Sequence, residues 1–253
     1  MDISEFSRLR DKKTYLRHPW ETSRVNVLKT FLKQSGINFP VDRIVDIGGG
    51  DAFVINSLMQ ENLAKEYFAI DTAYTDEVIA QLKENYNNSG VHYVIDLKEY
   101  SIAYEAGVNT LYLCMDVLEH LEDEGIILDY LDNKETGSHY FFSVPAFQSV
   151  FSSHDVLLGH YRRYTLGQLE QVLESRGFSI SSRGYYFTSL LLLRWMEKLF
   201  KKDKKESIDN WEGGKTKSRL INAILNIDFR TSLLLKRAGI IIPGLSCYCL
   251  CKR

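Results

Sequence analysis

The chain reads as an α/β protein built on a mostly parallel sheet, and three observations lead there. From Asp42 onward short apolar runs alternate with segments of helical period; the first run ends in three consecutive glycines; and the alternation stops abruptly after Val144. Strands separated by helices in this way build a parallel sheet covered by helices. Before the alternation, Thr22 to Gln34 predicts a lead-in helix, because Val25, Leu28, Phe31 and Leu32 fall at helical spacing and Gly36 offers a stop. Five strands are expected at Arg43–Ile47, Tyr67–Ile70, His92–Ile95, Thr110–Met115 and Tyr140–Val144. The intervening helices are expected at Phe53–Leu63, Asp76–Tyr86, Lys98–Ala106 and Val117–Leu131.

Pro145 to Tyr164 has no clean period and holds two histidines and an Arg-Arg pair, so it reads as an active-site loop. Thr165 to Arg176 is an amphipathic helix that starts at a Thr cap and ends at Gly177. A strand at Phe178–Phe187, a helix at Leu190–Phe200, a charged linker at Lys201–Lys217, a helix at Leu220–Arg237 and a strand at Leu245–Leu250 complete the chain. The domain reading is a helical lead-in over 1–40, a core over 41–188, a helical, basic appendage over 189–238 and a last strand over 239–253.

Composition narrows the function. In 253 residues, 31 Lys and Arg face 33 Asp and Glu, a net charge of −2, so there is no domain-wide positive field for nucleic acid. The balance conceals a division: residues 194–253 hold 14 Lys and Arg against 6 Asp and Glu, whereas residues 1–193 hold 17 against 27. Basic residues beside apolar stretches suggest an amphipathic helix that touches an anionic membrane or a phosphorylated, lipid-linked acceptor. Cys247, Cys249 and Cys251 share one face of the last strand, where small apolar side chains pack, and with Cys114 they make no secreted disulfide framework. With an acidic N-terminus, no apolar leader and no apolar run of membrane-spanning length, a cytoplasmic protein is expected, peripheral at most at the inner face of the membrane.

The segment Ile44-Val45-Asp46-Ile47-Gly48-Gly49-Gly50-Asp51-Ala52-Phe53 runs from an apolar strand through a glycine turn into a helix. Such a turn lets a ligand approach the backbone closely. The dinucleotide pattern G-x-G-x-x-G would need glycine at position 53, which is Phe53. The frame acidic-x-G-x-G-x-small fits instead, as Asp46, Gly48, Gly50 and Ala52, and in it the chain resembles the class I S-adenosylmethionine-dependent methyltransferases. Asp71 after the second strand, Asp96 after the third, and Met115-Asp116-Val117-Leu118-Glu119-His120-Leu121 after the fourth extend the resemblance in order. Ser143-Val144-Pro145 and Gly159-His160-Tyr161-Arg162-Arg163-Tyr164-Thr165 look like a bacterial branch with glycan and cell-envelope members.

The resemblance implies a Rossmann-like seven-stranded sheet, mostly parallel with the last strand antiparallel, helices on both faces and a helical insertion before the last strand. It implies S-adenosylmethionine as cofactor, held by Asp46, Gly48, Gly49, Gly50, Asp71, Asp96, Met115 and Asp116, and a small-molecule or glycan acceptor. Asp71 would take the ribose hydroxyls and Asp96 would lie near the adenine amino group, while Asp116 or its neighbours would face the methionine ammonium. For an oxygen nucleophile, His154 and His160 are the candidate bases, since histidine titrates nearest neutral pH. Arg162 and Arg163, with Tyr164 beside them, are candidates to grip a phosphate or carboxylate of the acceptor. No metal site is expected, because the histidines at 18, 92, 120, 139, 154 and 160 show no carboxylate–histidine cluster at ligand spacing. The competing readings are an NAD-dependent oxidoreductase of similar fold and a non-catalytic S-adenosylmethionine-binding protein. A nucleic-acid methyltransferase is disfavoured because no N-P-P-Y-type segment follows the fourth strand.

Overall fold

A computed structural model describes residues 17–87, 90–103, 108–132, 137–200 and 214–253. Helix α1 (Pro19–Gln34) leads into β1 (Val41–Ile47), α2 (Phe53–Met59), β2 (Ala64–Ile70), α3 (Asp76–Asn85), β3 (His92–Val94), α4 (Leu97–Ala103) and β4 (Thr110–Met115). There follow α5 (Gly125–Asp132), β5 (His139–Pro145), the short α6 (Ser153–Leu157), α7 (Leu166–Ser175), β6 (Ser179–Tyr186), α8 (Thr188–Leu199), α9 (Gly214–Arg237) and β7 (Ser246–Lys252). The acidic N-terminus, the end of the helix expected to reach Ala106 and the first part of the charged linker lie outside the described residues.

One seven-stranded sheet runs in the order β3-β2-β1-β4-β5-β7-β6. The neighbours among β1 to β5 pair in parallel, whereas β7 lies between β5 and β6 and is antiparallel to both. The strand order reverses between β1 and β4, which opens a crevice at their carboxyl ends.

Alternation along each strand feeds two cores. On one face Ile44, Leu111, Leu113 and Phe141 pack with α1, α2 and α9; on the other Val45, Ile47, Cys114 and Phe142 pack with α5 and α7. Cys247, Cys249 and Cys251 are buried, unpaired and together in the second core, where burial pushes the Cys251 thiol up to about 12. The Thr cap expected at 165 is present as a capping box with Gln168.

Val117 to Leu131 is not one helix. A 3₁₀ turn covers Leu118–His120, and α5 begins only at Gly125, where Asp123 Oδ1 accepts the Gly125 amide at 2.8 Å. Arg162 pins the intervening acidic loop by donating to Glu124 and to the Glu122 carbonyl. The tight turn keeps Glu119 and His120 at the end of the sheet. At the other end of the chain, α9 is already helical at Gly214, the first residue described after 200, so the last residues expected in the charged linker belong to the helix.

Candidate functional site

The glycine turn is shaped by its neighbours. Gly48 has φ +72°, and a Cβ there would lie 2.5 Å from Val117 Cγ2. A Cβ on Gly49 would lie 2.9 Å from the Tyr74 hydroxyl and 3.1 Å from Ala69 Cβ. Gly50 donates its amide to Asp71 Oδ2 at 3.0 Å, and Asp71 Oδ1 accepts the Ala73 amide at 3.0 Å. Asp71 therefore braces the turn at the end of β2, and the cap of α3 is Thr75. Ala52 stands in the left-handed region at φ +58° at the entrance to α2. That is why glycine would be the easy residue there.

Above these strand ends lies a cavity of about 960 Å³. Gly48, Asp71, Asp96, Met115 and Asp116 line it, while Asp46, Gly49 and Gly50 lie outside its lining. Burial pushes the Asp46 carboxyl up to about 7, with Arg24 opposing and Asp71 and Asp51 adding to the shift. Asp96 also caps α4, accepting the Glu99 amide at 2.7 Å.

Helix α1 forms the roof, a contribution with no signature in the sequence. Arg17, two residues before α1, pairs with Asp51 at 2.5 Å and Arg24 of α1 pairs with Asp116, so two arginines tie α1 and its lead-in to the turns after β1 and β4. Asp116 holds φ +56° and donates its amide to the Ser143 carbonyl at 2.8 Å. A non-glycine residue in that conformation is strained and persists only because its surroundings fix it. Trp20 and Arg24 both reach the cavity, and the Arg24 guanidinium lies 4.7 Å from the Trp20 ring centre.

The irregular segment after β5 folds around Asp155, which is fully buried. Asp155 Oδ1 meets His160 Nδ1 at 2.9 Å and accepts from Arg163 Nε at 2.7 Å, while Oδ2 accepts from Arg163 Nη2 at 3.1 Å and the Ser152 amide at 2.9 Å. Burial alone would raise this carboxyl, but the bonds from His160 and Arg163 outweigh it and hold it well below the ordinary carboxylate range. His154 and His160 both line the cavity.

The anion grip expected of Arg162 and Arg163 is not assembled. Arg163 borders the cavity, but its fork is committed to Asp155 and the Ala146 carbonyl, whereas Arg162 turns to Glu124 and is not part of the lining. Tyr164 is buried in the second core, 3.4 Å from the Leu118 carbonyl, and is not part of the lining either. These residues build the loop that presents His160.

The sequence shows no carboxylate–histidine cluster, yet the fold makes one. Glu119, His120 and His160 each offer a ligand atom within 4.8 Å of the others. The pair 119–120 and residue 160 are too far apart in sequence for spacing to reveal it. Glu119 is fully buried, neither carboxylate oxygen is hydrogen-bonded to another residue, and burial pushes it up to about 8.

No protein-family model and no curated protein matches this chain. Its structure does have relatives. A chain of the Haloferax volcanii complex between the Trm112 methyltransferase activator and a methyltransferase superposes with a TM-score of 0.56 at 12% identity, over 92% of this chain and 90% of that one. Phosphoethanolamine N-methyltransferase 2 of Haemonchus contortus, solved with S-adenosyl-L-methionine, gives 0.54 at 16% identity. The match covers 90% of this chain but 52% of that one, so this chain spans about half of that enzyme's length. A SAM-dependent methyltransferase from Archaeoglobus fulgidus gives 0.50 at 17% identity, over 90% and 94% of the two chains.

The fold is that of the class I S-adenosylmethionine-dependent methyltransferases. In this methyltransferase fold the crevice between β1 and β4 is where a ligand of an open α/β sheet binds. The cavity described above lies there.

Proposed function

We propose that the protein is an S-adenosylmethionine-dependent methyltransferase that methylates an oxygen of an amphiphilic acceptor, a small molecule or glycan carried on a lipid, at an anionic membrane surface. The observation that carries this reading is one continuous cavity. Gly48, Asp71, Asp96, Met115 and Asp116 line it together with His154 and His160.

The residues fit the cofactor. Gly48 has no side chain to fill the cradle, Asp71 presents a carboxylate for ribose hydroxyls, and Asp116 supplies negative charge for an ammonium group, with Asp46 behind the lining. Bound there, S-adenosylmethionine supplies an electrophilic methyl group on a sulfonium. The chain's part is then alignment and proton removal. Holding the reacting groups in line in a closed pocket is worth about 7–11 kcal/mol in favourable cases. A wall histidine, His154 or His160, accepts the hydroxyl proton, a contribution of roughly 10²- to 10⁴-fold.

The membrane reading rests on α8 and α9, which also line the cavity through Leu193, Arg194, Ile221 and Leu225. Along α8, Leu192, Met196 (54% exposed) and Leu199 (79% exposed) fall at i, i+4 and i+7, with Phe200 (70% exposed) continuing the stripe. Leu220, Ile224, Ile227 and Leu234 expose a second stripe along α9, which begins with exposed Lys215, Lys217 and Arg219. Apolar stripes edged by cations match an anionic bilayer, where each Lys or Arg near the surface adds about 1 kcal/mol. No helix of the described residues is long and apolar enough to cross a membrane, so contact would be at the surface.

The test is transfer of labelled methyl from S-adenosylmethionine to a membrane-lipid extract and, in parallel, to a water-soluble extract. Label in an alkali-stable, lipid-extractable product together with S-adenosylhomocysteine is the expected result. Binding of S-adenosylmethionine without S-adenosylhomocysteine from either extract would favour a non-catalytic binder. Tight binding of NADH in its place would favour the oxidoreductase.

A further inference from the structure

We propose that Glu119, His120 and His160 bind one divalent transition-metal cation in the wall of the cavity. The three donors come from two places, the 3₁₀ turn after β4 and the loop after α6, and their ligand atoms lie within 4.8 Å of one another. All three residues line the cavity. The His120 and His160 rings meet edge-on, with centres 4.6 Å apart and planes at 85°.

The second observation is the state of Glu119. A fully buried carboxylate with neither oxygen hydrogen-bonded to another residue is costly unless a proton or a cation neutralises it. The two nearby arginines are already engaged: Arg24 pairs with Asp116, and Arg163 puts its fork on Asp155. A cation between Glu119 and the two imidazoles would pair the carboxylate.

The geometry of His160 fits the role of ligand. Asp155 is an acceptor for Arg163 and for the Ser152 amide, so the His160 Nδ1–H donates to it and Nε2 keeps its lone pair. A carboxylate that fixes the far nitrogen of a ligating histidine is a recurrent outer-shell arrangement. Two imidazoles and one carboxylate suit Zn²⁺, Co²⁺, Mn²⁺ or Fe²⁺ better than Mg²⁺ or Ca²⁺, which favour oxygen donors. Bond lengths of about 2.0–2.2 Å would require the side chains to draw together slightly, and three protein ligands leave a coordination position open to the cavity.

This inference rests on the proposed methyl transfer only for its consequence. An acceptor hydroxyl on the open position would lose its proton more readily. With His160 holding the cation, that proton would go to His154.

The experiment is titration of chelator-treated full-length protein with Co²⁺, followed by visible absorption and by calorimetry, with the melting temperature recorded with and without the metal. One Co²⁺ per chain is expected, with an absorption band of a low-coordinate site and a raised melting temperature. Glu119→Gln and His160→Ala should each weaken binding by at least about tenfold, since loss of an outer-shell partner alone costs about 10- to 100-fold. Each should also abolish the metal-dependent rise in melting temperature. His154→Ala should leave Co²⁺ affinity unchanged. Absence of Co²⁺ binding, or binding that survives in the Glu119→Gln/His160→Ala double variant, overturns the proposal. S-adenosylmethionine binding by the metal-free protein is measured separately: if it persists while Co²⁺ fails to bind, the metal site fails and the methyltransferase reading stands.

Discussion

Gly50 donates its amide to Asp71 Oδ2 across 3.0 Å, so the turn after β1 and the acid after β2 form one unit. The acid that faces the cavity is held by the glycine backbone whose conformation opens the cavity. Damage to the turn therefore reaches the ligand site twice, through the cradle and through Asp71.

Gly48→Ala follows from this coupling. Alanine at φ +72° costs about 1–2 kcal/mol, and its Cβ would press on Val117, which borders the cavity. We expect a folded protein with a lowered melting temperature and S-adenosylmethionine affinity reduced by at least about tenfold, equivalent to 1.4 kcal/mol. Calorimetric titration checks it, and unchanged affinity would remove the turn from the cofactor site.

Asp155→Ala should cost about 3–5 kcal/mol in urea denaturation, because it leaves the buried Arg163 charge uncompensated. The same carboxylate gives a pH signature. Its value is depressed in the folded state, so its contribution is present above the unfolded value near 4 and is lost as pH falls below that toward the folded value. The wild-type stability curve should drop in that acid range, and the variant's curve should be flatter there.

Asp46 has the opposite sign. Its folded value is raised to about 7, so its penalty is absent below about pH 4, grows between pH 4 and 7, and is complete above 7. Asp46→Asn should therefore melt higher than wild type at pH 8 and about equally at pH 4. If Asp46 serves the cofactor's ammonium, the same variant should bind S-adenosylmethionine more weakly. A melt series and a titration at pH 8 separate the two effects.

The exposed stripe on α8 can be tested without touching the cavity. Leu199→Glu/Phe200→Glu replaces two exposed side chains and should abolish sedimentation with phosphatidylglycerol vesicles at low salt, leaving S-adenosylmethionine affinity unchanged. Wild-type protein that stays in solution with those vesicles would end the membrane reading.

Much of the fold was legible because each signal was local. The glycine turn, the short apolar runs of β1, β2, β4 and β5, and the Thr165 cap each occupy a few consecutive residues. The places of Gly48, Asp71, Asp96, Met115 and Asp116 followed, since strand ends in this fold converge on one crevice. What was not legible depends on distance. The sequence offers no sign that Arg24 would reach Asp116 or that His160 would join Glu119 and His120. Arg162 and Arg163 looked like an anion grip because an Arg-Arg pair in a loop has the right chemistry. Their true partners, Glu124 and Asp155, were set by the folding of the loop. The helix expected over Val117–Leu131 failed for a related reason, since the acidic loop inside it is held by Arg162 from 38 residues away.

The decisive measurement is calorimetric titration of the purified protein with S-adenosylmethionine, S-adenosylhomocysteine and NADH. The proposed function predicts saturable, mutually competitive binding of the first two at one site per chain, and none of NADH. A folded protein that ignores S-adenosylmethionine, or binds NADH at that site, would contradict it.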